Sequence, residues 1–230
     1  MLSIVIPTLN ARSYLPQLLH QLDGKVDAIV VSDAGSTDGS LAVALDGGVT
    51  GAQLRIALGC KGRGWQLARG AKWANLDNRP EDWLLFLHAD TKLGAGWRDE
   101  VSHHIKHFPA QAGYFRFKFD ALGFWPRWIE FWVWLRCAFA RLPYGDQGLL
   151  VRRDLYEAVD GYPDTLLYED VCIVRALGRR RLRPMLADAL TSPERYEKRG
   201  YIRQGLGNLV LLIRYFFGAD PDVLNKHYNK

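Results

Sequence analysis

The acids most open to a chemical reading are Asp33, Asp90 and the adjacent Glu169 and Asp170, because each stands where the character of the chain changes from apolar to polar. Asp33 opens Asp33-Ala34-Gly35-Ser36-Thr37-Asp38-Gly39, directly after an apolar run at 28–32. The glycines permit a tight turn, and Ser36 or Thr37 is placed to cap a following helix. A carboxylate at such a strand end can accept from a nucleobase N–H or a ribose hydroxyl, so Asp33 is the expected nucleotide selector; a plain capped turn is the alternative. Asp90 closes Phe86-Leu87-His88-Ala89-Asp90, again where an apolar run ends. A hard divalent cation binds few carboxylates and keeps diphosphate oxygens among its ligands, so one aspartate here suits a metal that neutralises a departing nucleoside diphosphate. His88 has three readings: ribose contact, assistance to the metal, or packing under a sheet edge. Glu169 and Asp170 open a helical pattern, where acids offset the helix dipole by about 0.3–1 kcal/mol. A carboxylate in a crevice beside a metal site can also take the proton from an attacking acceptor hydroxyl, which is general-base work.

The elements that must hold these acids follow from periodicity. Apolar runs at 2–6, 28–32, 55–58 and 83–87 read as strands, the first ended by Pro7, which cannot donate to a ladder. Helical spacing covers 10–22, 36–45 and 65–74. Strands alternating with helices predict an α/β fold: an open, mostly parallel sheet with helices on both faces, joined by right-handed crossovers. Ligands bind outside the carboxyl ends of such strands, so Thr8 and Asn10, the loop from Asp33, and His88 to Asp90 should converge on one crevice. Farther along, 112–119 and 148–151 read as strands, and 124–142, 169–177 and 201–217 as helices. No linker or repeat interrupts the chain. A single domain is expected, with a nucleotide-sugar half at 1–91, an acceptor and catalytic half at 92–200, and a C-terminal helical extension at 201–230.

Bulk properties narrow the classes further. Hydrophobic residues make up 48% and charged residues 24%, enough apolar material for a packed core. Cys60, Cys137 and Cys172 have no zinc or disulfide spacing. The start Leu2-Ser3-Ile4-Val5-Ile6-Pro7 lacks a basic segment and an apolar stretch of signal-peptide length. A cytoplasmic location is expected, with peripheral contact at the inner face of the membrane as an alternative. Net charge is +5, and Arg175, Arg179, Arg180, Arg181 and Arg183 carry much of the excess. Without an accompanying recognition motif this run does not point to nucleic acid. Four tryptophans, Trp125, Trp128, Trp132 and Trp134, lie in one apolar helical segment too short and too charged to span a bilayer. A helix apolar nearly all round is expected to be covered by protein, as core or homodimer contact; a membrane interface and a hydrophobic acceptor pocket are the alternatives.

Together, Ile6-Pro7-Thr8-Leu9-Asn10, the Asp33–Gly39 stretch, His88-Ala89-Asp90 and Glu169-Asp170 resemble the ordered signature of family 2 glycosyltransferases. Gly62-Arg63-Gly64-Trp65-Gln66, Phe86-Leu87-His88-Ala89-Asp90-Thr91, Tyr144-Gly145-Asp146-Gln147-Gly148 and Tyr168-Glu169-Asp170-Val171 are similar to a small bacterial subgroup associated with radical-SAM and selenium genes. The resemblance implies a GT-A type fold and sugar transfer from a nucleotide-sugar donor, UDP- or GDP-linked, to an acceptor the sequence does not identify. It assigns nucleotide-sugar contact to Pro7, Thr8, Asn10, Asp33, Arg63, His88 and Ala89. Asp90 takes the place of the last DxD aspartate, the ligand of Mn2+ or Mg2+, and Asp170 that of the catalytic base, with Glu169 beside it. Asp146 and Gln147 fall near the acceptor pocket, although their chemistry alone does not separate this from a capped turn. His88 stands where the family has the first DxD acid, and Ala34 replaces a second acid in the Asp33 loop. Inversion is implied by the family only. No QxxRW motif follows, which points away from processive polymerisation. The rival readings are a nucleotidyltransferase, disfavoured because Thr8-Leu9-Asn10-Ala11 is no glycine-rich phosphate loop, and a non-catalytic sugar-nucleotide binding module, disfavoured by the presence of both Asp90 and Asp170.

Overall fold

Runs of β-branched and leucine side chains form β1 (Leu2–Thr8), β2 (Ala28–Asp33), β3 (Gln53–Leu58) and β4 (Trp83–Phe86). The computed structural model describes residues 1–47, 49–74, 79–165, 167–221, 223 and 224. These four strands are parallel neighbours in the order β3-β2-β1-β4. Between them run α1 (Leu15–Leu22), α2 (Ser40–Asp46) and α3 (Arg63–Ala74). Strand alternation sends Ile4, Ile6, Ile29 and Val31 to a core shared with α1, and Val5, Val30, Leu84 and Phe86 to a second core shared with α3. Helices therefore cover both faces.

The second half begins with β5 (Lys92–Leu93), α4 (Trp97–His107), β6 (Ala112–Phe119) and α5 (Phe124–Ala140). It continues through β7 (Leu149–Arg152), α6 (Arg153–Glu157) and α7 (Glu169–Leu177) to β8 (Leu182–Thr191), α8 (Glu194–Arg199) and α9 (Tyr201–Phe216). Among the described residues one eight-stranded sheet runs β3-β2-β1-β4-β7-β6-β8-β5. β7 pairs antiparallel with both β4 and β6, β6 pairs parallel with β8, and β8 antiparallel with β5. The sheet is thus parallel where the nucleotide loops were expected and mixed beyond. A small third cluster of Leu167, Tyr168, Val171, Leu212 and Leu224 fastens α9 to the start of α7.

Several sequence expectations need correction. β1 continues through Pro7 to Thr8, with Pro7 opposite Ser32 of β2. Pro7 shares its side with Val5, whose carbonyl takes the last bond from the β4 edge at Leu87, so the missing N–H falls beyond the paired segment. The first helix starts at Leu15 rather than Asn10, because Asn10 sits at φ 52 in the left-handed region and Pro16 favours a first helical turn. The second starts at Ser40 behind Gly39, and Asp38, not Ser36 or Thr37, accepts the Ser40 N–H at 2.9 Å. The core reading of α5 does not hold: only Pro126, Glu130 and Cys137 are buried, while Trp125, Trp128, Trp132 and Trp134 are exposed.

Candidate active site

The loops leaving β1, β2 and β4 meet as the topology requires. Asp33 is fully buried and serves its own turn: one carboxylate oxygen accepts the N–H groups of Gly35 and Ser36 at 2.8 Å each, the other the Ser36 hydroxyl at 2.5 Å. Asn10 ties the neighbouring loop to it, its backbone N–H reaching the Ser36 hydroxyl at 2.8 Å and its side-chain oxygen accepting Thr37 N–H at 2.9 Å. Thr8 is buried and donates to Ile6 O at 3.2 Å. Gln66 of α3 spans both strand ends, donating to Thr8 O at 2.8 Å and Ser32 O at 2.9 Å. These bonds fix the floor of a cleft of about 310 Å³, lined by Pro7, Asn10, Tyr14, Arg63, Gln66, His88, Ala89 and Asp90 among others.

Of the residues expected at the nucleotide sugar, Pro7, Asn10, Arg63, His88 and Ala89 line this cleft, together with Asp90, the expected metal ligand. Thr8 and Asp33 lie beneath it as buttresses. Gln66 and Tyr14 carry no chemical signal of their own in the sequence. Gln66 is marked only by its place in the Gly62–Gln66 stretch, and Tyr14, whose hydroxyl donates to Glu194 at 3.1 Å, is marked by nothing.

A second group of acids closes the cleft from the second half of the chain. Tyr168 adopts φ 64, a left-handed conformation unusual for a bulky residue, and this turns the chain into α7 so that Glu169 and Asp170 occupy its first turn. Gly64 allows α3 to approach, since a Cβ there would lie 2.3 Å from Pro163 O. The Arg63 guanidinium consequently pairs with Glu169 and lies 3.9 Å from Asp170. Glu169 is sealed, its side chain 1% exposed, whereas that of Asp170 is 11% exposed. Asp170 accepts Gly145 N–H at 2.8 Å and Val171 N–H at 2.7 Å, and it borders a smaller cavity beside the main cleft. Gly145 stands between the two groups: a Cβ there would lie 2.7 Å from His88 Nε2 and 3.5 Å from Asp170 Oδ2.

Gln147 holds the Gly145 turn rather than open space, donating to Phe115 O at 3.1 Å and accepting from Tyr144 N–H at 3.3 Å and Arg136 at 3.2 Å. Arg136 also stacks over the Tyr144 ring, 3.4 Å from its centre. Asp146 has one buried carboxylate oxygen with no hydrogen-bond partner among the described residues.

The electrostatics are those of a site with surplus negative charge. Burial pushes the Asp90 carboxyl up, with Arg63 opposing. Burial likewise lifts Asp146 to about 6, against Arg136 and with the help of Asp170. His88 is driven down to about 3 by burial and then by Arg63, so its imidazole is neutral near pH 7. Among the described residues no three His, Cys, Asp or Glu side chains converge closely enough to hold a metal by themselves.

The model of glycosyl transferase family 2 matches residues 3–160. The chain belongs to this family. No curated protein matches the sequence significantly. Solved structures share the fold of this family 2 glycosyltransferase at low identity. Residues 1–349 of S. aureus TarS superpose with a TM-score of 0.61 at 15% identity, over 99% of this chain and 70% of that one. Mannosyl-3-phosphoglycerate synthase from Rubrobacter xylanophilus gives 0.57 at 16% identity, over 92% and 73%. Glucosyl-3-phosphoglycerate synthase from Mycobacterium tuberculosis, in complex with Mn2+, UDP and glucosyl-3-phosphoglycerate, gives 0.54 at 18% identity, over 91% and 78%. The architecture is thus the GT-A arrangement, and the enzyme is a glycosyltransferase of the nucleotide-sugar-dependent kind.

Proposed function

We propose that the cleft holds a UDP- or GDP-linked sugar and that Asp170 is the general base for its inverting, non-processive transfer to an acceptor hydroxyl. The observation that carries this reading is the stack Asp170, Gly145, His88, in which the acid of the catalytic half lies one glycine away from the cleft that Asp90 lines. Bond formation between the acceptor oxygen and the anomeric carbon breaks the bond to the diphosphate. The hydroxyl proton passes to the Asp170 carboxylate, and the nucleoside diphosphate leaves with the bonding pair. Glu169, sealed against solvent and paired with Arg63, positions that arginine for the diphosphate and is not itself the base. Neutral His88 presents an uncharged edge to the sugar nucleotide and adds no cation of its own.

A Mn2+ or Mg2+ ion suits these residues, because the half-buried Asp90 has its carboxyl pushed up and the nearby Asp146 has a buried oxygen with no hydrogen-bond partner among the described residues. Asp90 would hold the ion, whose chemistry is to neutralise the leaving diphosphate. The relatives crystallised with UDP and Mn2+, and with UDP-GlcNAc, support this donor class. The Gly62–Gln66, Tyr144–Gly148 and Tyr168–Val171 stretches support placement in the bacterial subgroup named above, and a cytoplasmic site of action accords with a nucleotide-sugar donor.

Asp170→Asn keeps size and one of the two backbone N–H bonds that Asp170 accepts but cannot serve as the base, so transfer should fall by a factor on the order of 100 with donor affinity nearly unchanged. Glu169→Gln should instead weaken donor binding, because it loosens Arg63. Equal, modest losses in both variants would make the pair structural and remove the assignment.

A further inference from the structure

The largest feature that the transfer reading leaves unused is an apolar surface shared by α5 and α9. On α5, Phe124, Trp125, Trp128, Phe131, Trp132 and Phe139 stand exposed, Trp132 at 50% and Phe139 at 70%. On α9, Ile202, Leu206, Leu209, Ile213 and Phe216 recur at steps of three and four and are likewise exposed, so they form one stripe. The helices touch: a Cβ on Gly205 would lie 3.3 Å from Ile129 Cδ1. A solvated protein face seldom gathers so many large apolar side chains, and two neighbouring helices that both leave them uncovered mark a contact surface.

Its charge decides what covers it. Glu130 is the one acid in α5 and α9, and it is buried, paired with Arg127 and Lys118. The border is basic. Exposed Arg203 and Arg214 flank the α9 stripe, Arg175 lies over the Phe216 ring at 5.1 Å, and Arg179 donates to the Phe139 carbonyl at the end of α5. A second copy of this chain brought face to face would set one arginine border against another. A bilayer with anionic headgroups complements both parts, taking tryptophan at the headgroup level and arginine at the phosphates. None of the helices among the described residues is long and apolar enough to cross a membrane, so the helices would lie in the plane of the interface.

We infer that the α5–α9 face docks this enzyme on a bilayer containing anionic phospholipid. The same helix reaches the acceptor side of the site, since Arg136 in the last turns of α5 donates to Leu142 O at 2.9 Å and to Gln147. The surface does not depend on the assignment of donor or base.

Flotation of the full chain with vesicles tests it. Vesicles of phosphatidylcholine mixed with phosphatidylglycerol should carry roughly ten times more protein than phosphatidylcholine alone, and high salt should remove most of that excess. Trp128→Ser with Trp132→Ser should reduce binding about tenfold while donor binding in solution stays unchanged. Arg203→Gln with Arg214→Gln, a pair outside the tryptophan cluster, should weaken only the phosphatidylglycerol-dependent part, which keeps the test decisive if the tryptophan variant misfolds. Absence of wild-type flotation on either vesicle, or flotation indifferent to both pairs of substitutions, would overturn the inference. So would a dimer in light scattering that the tryptophan substitutions dissociate while vesicles are ignored, which would assign the face to a second copy.

Discussion

Asp146 carries an electrostatic penalty that can be measured. Burial lifts its carboxyl to about 6 from the ordinary 3.8, Arg136 pulls it back, and Asp170, Arg63 and Asp90 supply the remaining field. A carboxyl raised in the folded state favours folding while protonated, and this contribution is lost as pH rises from about 4 to about 6. Asp146→Asn should therefore stabilise the cation-free protein at pH 8 by on the order of 1–2 kcal/mol and flatten the fall in melting temperature between pH 4 and pH 6. Thermal denaturation across that range checks it; a variant less stable than the parent at pH 8 would show that the carboxylate is held by interactions stronger than its burial cost. Residue chemistry was legible where it depended on strand ends. Asp90, His88 and Asn10 lie on the cleft because apolar runs end beside them. The sequence left Asp33 open between nucleotide contact and a capped turn, and the choice was not legible because the bonds it accepts from Gly35 and Ser36 depend on backbone angles that residue type does not disclose.

At the scale of elements, the site is assembled by close approach. Gly145 sits where the turn before β7 passes between His88 and Asp170, and a methyl group there must displace an imidazole nitrogen 2.7 Å away. Gly145→Ala should cost at least about tenfold in transfer and about 1–3 kcal/mol in stability. Steady-state kinetics beside thermal denaturation checks this, and full activity in the variant would mean that His88 and Asp170 need not keep their present spacing. Sequence periodicity found β6 and α7 at their observed bounds because both are continuous patterns. It did not find α4, whose buried Trp97, Val101 and His104 are separated by charged residues. Nor did it find β8, which contains Pro184 and pairs with β6 through a register shift between Tyr114 and Arg116. For α5 only the core reading failed, for a different reason: an apolar circumference says that a helix is covered, and leaves open whether the cover is the same chain.

At the scale of the whole molecule, the described residues form one sheet with a parallel half whose loops line the cleft and a mixed half that brings the second set of acids to them. Alternating strand and helix signals exposed the first half in the sequence, since β1, β2 and β4 are covered on both faces and read as unbroken apolar runs, with β3 at the sheet edge only partly covered. The reversal at β7 is a matter of long-range pairing, which local pattern does not encode. The reversal has a functional consequence: β7 antiparallel to β4 sets the Gly145 turn beside the carboxyl end of β4, near His88 and Asp90. The central claim, a nucleotide-diphosphate cleft completed by a cation at Asp90, is tested most directly by thermal shift with UDP and GDP, with and without Mn2+ or Mg2+. One of these nucleotides should raise the melting temperature only with the cation present, and Asp90→Asn should abolish most of that increment while leaving the ligand-free melting temperature close to the parent's. An equal shift in the presence of a chelator, or one that Asp90→Asn leaves intact, would contradict it.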